Sequence, residues 1–113
     1  MAREDRIIPY SHDAALPMAR SAARRSGCRL MEESSFQQGE MQATVLVFER
    51  YFFQTRQFVT LTLALFGMEE DTKIAALSAG DGDRAVVDLG AEEFILSDML
   101  KELDRLLTHE EDI

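Results

Sequence analysis

Two neighbouring runs of strand-forming residues constrain the fold of this chain more than any other feature of its sequence. The first, Ala43–Phe53, has the sequence ATVLVFERYFF, and the second, Phe58–Phe66, has the sequence FVTLTLALF. Both are rich in β-branched and aromatic residues, and in the second run Val and Leu alternate with Thr and Ala. The short polar segment 54–57 (QTRQ) separates them. This pattern predicts a β-hairpin.

Further strands and turns are predicted on both sides of this hairpin. The turn residues of segments 38–40, 67–71 and 80–83 separate the runs. In the N-terminal segment, Pro9 should end the predicted strand or place it at a sheet edge. The predicted strands are Arg3–Pro9, residues 28–37, Thr72–Ala79 and a short one at Arg84–Leu89.

Two helices complete the pattern. Ser11 and Asp13 are N-cap candidates for a first helix that ends before Gly27, a residue suited to the left-handed C′ position. Pro17 should fall in the first turn of this helix, because proline is costly in a helix interior. The second helix, Ala91–Leu107, has apolar residues on one face at helical spacing and acidic residues in its first turn.

These elements predict one α+β domain over residues 1–113, with residues 108–113 as a frayed tail. The order is (β)αββββα. Short connections between successive strands favour an antiparallel meander of four to five strands. The two helices should pack on one face of the sheet, which gives a two-layer sandwich.

Alternation in the hairpin sorts its residues onto two faces. A two-residue loop at Thr55-Arg56 would pair Phe53 with Phe58 and Tyr51 with Thr60. The more aliphatic face should then meet the helices, with Arg50 reaching its edge or pairing with a carboxylate. The other face should be left uncovered. Its predicted members are Val45, Val47, Tyr51, Phe53, Phe58, Thr60, Thr62, Ala64 and Phe66, with Glu49 among them.

The uncovered face is too apolar for an ordinary solvated surface. We therefore expect a non-enzymatic domain that self-associates, most simply as a homodimer, or that binds another protein through this face. The alternative is a small-molecule or lipid-binding module with an apolar pocket under the sheet. A third arrangement, in which the N-terminal segment or the strand of Phe36 folds over the face, stays open. A one-residue change in loop length would exchange the two faces.

Charge limits the partners. The chain carries a formal charge of −9, and residues 57–113 hold four Lys/Arg against fourteen Asp/Glu. We therefore expect neither nucleic acid nor an anionic membrane surface as partner. The N-terminus lacks the apolar run of a secretory signal, and the single cysteine fits a reducing compartment, so a cytoplasmic location is expected.

No residue pattern is specific for catalysis. His12 and His109 are expected at the surface, and Cys28 as a buried structural residue. Asp81 and Asp83 resemble the start of a calcium loop but lack its closing Glu, so a solvated turn is favoured. We therefore expect no catalytic residue, no cofactor and no metal. The basic residues Arg20, Arg24, Arg25 and Arg29 should pair with the acidic second half, within the chain or between subunits.

Four segments give the chain a family resemblance. They are an aromatic-rich strand ending in a basic residue, a Thr-rich strand, a Ser-x-Gly-x-Gly turn, and a Gly-Ala before the last helix. They lie at Phe48–Arg56, Val59–Leu63, Ser78–Gly82 and Gly90–Phe94. In these the chain resembles a family of small uncharacterised bacterial proteins that carry a domain of unknown function. The resemblance implies an α+β fold and no activity, and makes the Gly-x-Gly turn the first place to look for a site.

Overall fold

The computed structural model describes residues 1–80 and 90–111, the last three of these for their backbone only. In these residues five strands form one antiparallel sheet in the order β1-β5-β4-β3-β2. The elements are β1 (Ala2–Ile8), α1 (His12–Arg25), β2 (Arg29–Gln38), β3 (Met41–Phe52), β4 (Gln57–Gly67), β5 (Thr72–Gly80) and α2 (Ala91–Glu111). Both helices lie on one side of the sheet, so the predicted α+β fold and the order βαββββα are confirmed.

The β3–β4 hairpin closes two residues earlier than predicted. Tyr51 lies opposite Phe58, and Phe52 opposite Gln57, so the predicted pairs of Phe53 with Phe58 and Tyr51 with Thr60 are wrong. The turn holds four residues, 53–56, because Arg56 adopts a left-handed φ of 52° and its amide bonds the carbonyl of Phe53. A shift of two residues leaves every side chain on its predicted face, since strands alternate with period two.

The core lies between this sheet and the two helices. Its members on the hairpin are fully buried aliphatic and aromatic side chains, as the alternation predicted. They are Leu46, Phe48, Val59, Leu61, Leu63 and Leu65. Alanines of α1 and the apolar stripe of α2, including Ile95, Met99 and Leu103, pack against them. The small residues of α1 let that helix approach the sheet closely.

Helix α1 begins and ends as predicted but contains its proline one turn later. The Ser11 hydroxyl caps the N-terminus by accepting from the Ala14 amide at 3.4 Å. Gly27 takes a φ of 86° just after the C-cap, as expected for a C′ glycine. Pro17 lies inside the helix, not in its first turn. Pro17 is exposed, and because proline has no amide hydrogen it cannot donate to the Asp13 carbonyl one turn before it.

Helix α2 runs to Glu111, four residues beyond its predicted end at Leu107. No proline or glycine stops it there, and the Thr108 hydroxyl donates to the Asp104 carbonyl at 2.9 Å. Glu102 and Arg105, three residues apart on this helix, form an ion pair at 2.7 Å. The predicted strand Arg84–Leu89 and residues 81–83 of the predicted turn lie outside the described residues.

Arg50 links three elements on the helix side of the sheet. Its Nη1 donates to the Ser26 carbonyl at the end of α1 (2.8 Å) and to Asp98 Oδ2 on α2 (2.9 Å). The guanidinium also lies 4.8 Å from the ring centroid of Phe52 and 5.6 Å from that of Phe94. The expectation that Arg50 pairs with a carboxylate is therefore confirmed, and its guanidinium also lies over two aromatic rings.

Glu92 joins the start of α2 to the sheet. Its carboxylate accepts from the α-amino group of Met1 at 2.7 Å and from the Gly80 amide at 2.6 Å, while its carbonyl accepts from the Ser78 hydroxyl. The Met1 ammonium first, and the Gly80 amide second, hold the pKa of Glu92 below its ordinary value against the opposing effect of burial.

Replacing Arg50 should destabilise the fold more than replacing an exposed arginine. We expect Arg50→Ala to lower the free energy of unfolding by about 1–3 kcal/mol, because Asp98 and the Ser26 carbonyl lose a shared partner in a half-buried site. Arg105→Ala is the matched control, since its pair with Glu102 is exposed and should be worth under about 1 kcal/mol. Urea unfolding at one fixed protein concentration measures both, and equal losses would contradict the prediction.

Glu92 should make stability fall in acid. Because its pKa is lower in the folded than in the unfolded state, its contribution is present above about pH 4.5 and is lost as pH falls through the folded pKa. Glu92→Gln should therefore be less stable than wild type at neutral pH and should lose less stability on acidification. Thermal unfolding across this range measures the difference. Parallel pH profiles for the two proteins would disprove the assignment.

Candidate interaction face

The side of the sheet opposite the helices forms a continuous surface, which we call the open face. Its side chains follow from the strand register, since residues opposite each other share a face. Read from β2 to β1, its rows are Phe36–Ala43–Phe66–Lys73–Ile7, Ser34–Val45–Ala64–Ala75–Asp5, Glu32–Val47–Thr62–Leu77–Arg3, Arg29–Glu49–Thr60–Ala79 and, at the hairpin end, Tyr51–Phe58.

Side-chain size divides the open face into a low middle and raised ends. The middle rows of β3, β4 and β5 hold mostly Val, Thr and Ala with one Leu, which largely shield one another from solvent. At one end the exposed rings of Tyr51 and Phe58 contact each other, with centroids 4.9 Å apart. At the other end stand Phe36, 63% exposed, and Phe66, 48% exposed.

The second aromatic end contains a gap that we call the notch. Ala43 lies directly opposite Phe36 on one side and Phe66 on the other, so two phenyl rings flank a methyl group. Their strands are two sheet spacings apart, about 9–10 Å, which leaves room for one further ring between them. The notch belongs to a cleft of about 510 Å³ that Met41 and neighbouring glutamines also line.

Most charged residues of the open face lie on the outer strands β1 and β2, and the two on inner strands, Glu49 of β3 and Lys73 of β5, lie beside them. Arg29 of β2 donates to Glu49 at 2.8 Å, and Glu32 follows on the same strand. On β1, Asp5 pairs with Arg3 at 3.1 Å and lies 3.8 Å from Lys73. The surface therefore has an apolar centre between charged margins, which is the composition of many protein interfaces.

The structure places most of the predicted face residues together. Val45, Val47, Tyr51, Phe58, Thr60, Thr62 and Phe66 all lie on the open face. Phe53 does not lie in the strand; it begins the turn and is 77% exposed. Members contributed by the other strands, above all Phe36 and Leu77, are not predicted, because hairpin alternation does not give their register. Ala43 lies on β3 two residues before Val45 and shares its face by the same alternation, although it is absent from the predicted set.

No helix or strand of the described residues covers the open face. The alternative in which the N-terminal segment or the Phe36 strand folds across it is wrong, because β1 and β2 extend the sheet at its two edges instead. Strand β2 is exposed along its whole length, on both faces. Hydrogen bonds to β3 hold this strand, with little apolar burial of its own.

The expectation that His12 is a surface residue is wrong. His12 is the first residue of α1 and is buried, with Nε2 2.8 Å from Thr44 Oγ1, which in turn lies 3.0 Å from Ser35 Oγ. A Cβ on Gly67 would approach the His12 Cβ to 2.9 Å, so glycine there admits the imidazole. His109 has no described side chain. This polar chain lies on the helix side and does not reach the open face.

Cys28 is buried, and two of the four basic residues singled out in the sequence, Arg20 and Arg29, form ion pairs within the chain. Cys28 is buried, as predicted, and burial raises the pKa of its thiol, which disfavours a nucleophilic thiolate. Arg20 pairs with Glu33 and Arg29 with Glu49. These carboxylates belong to β2 and β3, so within the chain Arg20 and Arg29 do not pair with the acidic second half, and the alternative of pairing between subunits stays a prediction.

Residues 1–80 and 90–108, whose side chains are described, contain no cluster of three or more His, Cys, Asp or Glu able to hold a metal ion. None of the described helices is long and apolar enough to cross a membrane. A second groove of about 290 Å³ lies between β1 and α2 and is lined largely by charged side chains of both signs. The open face therefore remains the candidate site of this molecule.

Comparisons with known proteins give this chain a family but no activity. No curated protein matches the chain. A solved structure from Thermus thermophilus, that of the protein TTHA0849, is similar with 11% sequence identity and a TM-score of 0.46 over 96% of this chain and 97% of that one. The profile of a family of unknown function (DUF6054) matches residues 1–107, so the chain belongs to that family.

Proposed function

We propose that this protein is an interaction domain that self-associates as a homodimer through the open face. The observation that supports the proposal is the combination of an apolar centre, exposed aromatic rings and no covering element among the described residues. Exposed apolar surface of this extent is costly for a monomer in water. A second copy is the partner always present at the same concentration, and closed two-fold dimers are the commonest assembly.

The size of the open face fits a stable dimer. It carries roughly 20 side chains from five strands, close to the 20–30 residues that one side of a standard interface contributes. The Thr60 hydroxyl at its centre need not lose a hydrogen bond on burial, since Oγ1 already donates to the Ala79 carbonyl at 3.2 Å. Burial of the centre therefore removes apolar area from water without stranding that donor.

The same proposal includes a cytoplasmic location and a protein partner in place of nucleic acid or membrane. It draws on the formal charge of −9, which disfavours contact with phosphate groups. A single buried thiol is also compatible with a reducing compartment.

A second candidate function is the binding of a small apolar molecule in the cleft at the notch. Its volume of about 510 Å³ lies within the usual range for ligand sites, and its lining side chains include no charged residue. Native mass spectrometry of freshly purified protein decides this alternative. A reproducible adduct that Ala43→Trp removes would support it, and bare protein under gentle conditions would count against it.

Self-association predicts a mass near twice 12.8 kDa that declines on dilution. Phe66→Glu should yield a folded monomer, because it places a charge in the apolar surface without touching the core. Phe94→Glu is the control: this ring is 52% exposed against 48% for Phe66, but lies on the helix side. Sedimentation velocity with circular dichroism measures mass and fold. A wild type that stays monomeric throughout the dilution series would refute the proposal.

A further inference from the structure

We propose that the two open faces stack about a two-fold axis that runs across the strands, between the rows of Val47 and Glu49. In this arrangement Phe53 of each copy enters the notch between Phe36 and Phe66 of the other. The inference rests on the proposed self-association and adds its geometry. It would bring the exposed Phe53 ring of one copy into contact with the notch of the other, although the two features lie at opposite ends of the hairpin within one chain.

Shape supports this axis. A two-fold axis across the strands reverses their direction, so each raised end of one copy meets a lower part of the other. The Tyr51–Phe58 row then lies over the partner's Val45 and the partner's Ala64, which are small and half-buried. One step further along β3, the Phe53 turn reaches the level of the partner's Ala43. Ridges meet depressions, as close packing requires.

Charge supports the same axis. Arg29 lies in the row of Glu49, and Glu32 lies in the row of Val47, both on the open face of β2. The two-fold operation exchanges these rows, so Arg29 faces the partner's Glu32 and Glu32 faces the partner's Arg29. Two equivalent ion pairs at the margin would fix the register of the dimer, which is the usual contribution of rim charges.

An axis along the strands fits less well. It places each row over a row of the same level, so Phe58 meets the partner's Phe58 and Phe66 meets the partner's Phe66. The raised ends would then hold the small residues of the middle rows apart. The notch would then lie over the partner's Lys73 and would receive no aromatic ring. Voids of this kind forfeit the dispersion contacts that stabilise an interface.

Cross-linking between defined positions tests the axis. In a Cys28→Ser background, one sample carries Met41→Cys beside the notch and another carries Gln54→Cys beside Phe53. Since stacked sheets lie about 10 Å apart, a short bismaleimide is used instead of direct disulfide formation. Mixing the samples should link Cys at 41 to Cys at 54 of the partner. Unmixed samples should link poorly, because equal positions lie roughly 40 Å apart along the strands.

The outcomes separate this inference from the proposed function. Links only in the mixture support the axis. Links between equal positions, or a dimer that links in neither sample, overturn the axis while the dimer itself stands. A protein that is monomeric in sedimentation overturns both.

Affinity provides a second readout. Phe53→Ala should raise the dimer Kd by about tenfold or more, the effect of removing an aromatic anchor from its pocket. Ala43→Phe, which fills the notch, should do the same with little loss of monomer stability, since Ala43 lies outside the core. Phe94→Ala on the helix side should leave the Kd unchanged. Unaltered Kd values for both face variants would also overturn the inference.

Discussion

The constraint on which this structure depends is the one-sided cover of a five-stranded sheet. Both helices pack over the side that carries Leu46, Leu61 and Leu63, and the alanines of α1 allow a close approach there. Polar contacts then hold α2 to the sheet: Arg50 of β3 donates to Asp98, and Glu92 accepts from the Gly80 amide at the end of β5. The described residues contain no third layer. The side chains of the open face must therefore contact either water or a second molecule. Its aromatic and aliphatic side chains are better suited to contact with a second molecule.

Much of the fold was predictable because its strongest patterns are local. Alternation in β4 separates a leucine face from a threonine face. The predicted faces stay correct although the predicted hairpin register is wrong by two residues. An error of one residue would have inverted it. The turn type depended on Arg56 adopting a left-handed φ, which residue preferences do not indicate. The edge positions of β1 and β2 come from non-local pairing, so Phe36 of β2 could not be assigned to the candidate face from sequence.

Two expectations drawn from local patterns on the first helix are wrong. His12 is polar and precedes a helix, so it was expected in water, yet the fold buries it against Thr44 where Gly67 leaves space. Pro17 is expected in the first turn because it lacks an amide hydrogen, yet it lies one turn later at an exposed position. For His12, tertiary surroundings that a local pattern does not describe decide the outcome. The interaction role assigned to the open face stays a prediction from sequence and geometry together.

The composition of the open face suits association better than permanent burial within one chain. A core face carries large aliphatic residues at each position, as β4 does on its other side, whereas the open face alternates small Thr, Val and Ala with rings at its ends. Threonine tolerates water, and Thr60 donates a hydrogen bond to the Ala79 carbonyl within the chain itself. The rings at the two ends, in contrast, gain most from a partner because they are the most exposed apolar groups. A face with a centre that water can solvate and exposed aromatic rings at both ends is compatible with a monomer, while burial of those rings would favour association with a second copy.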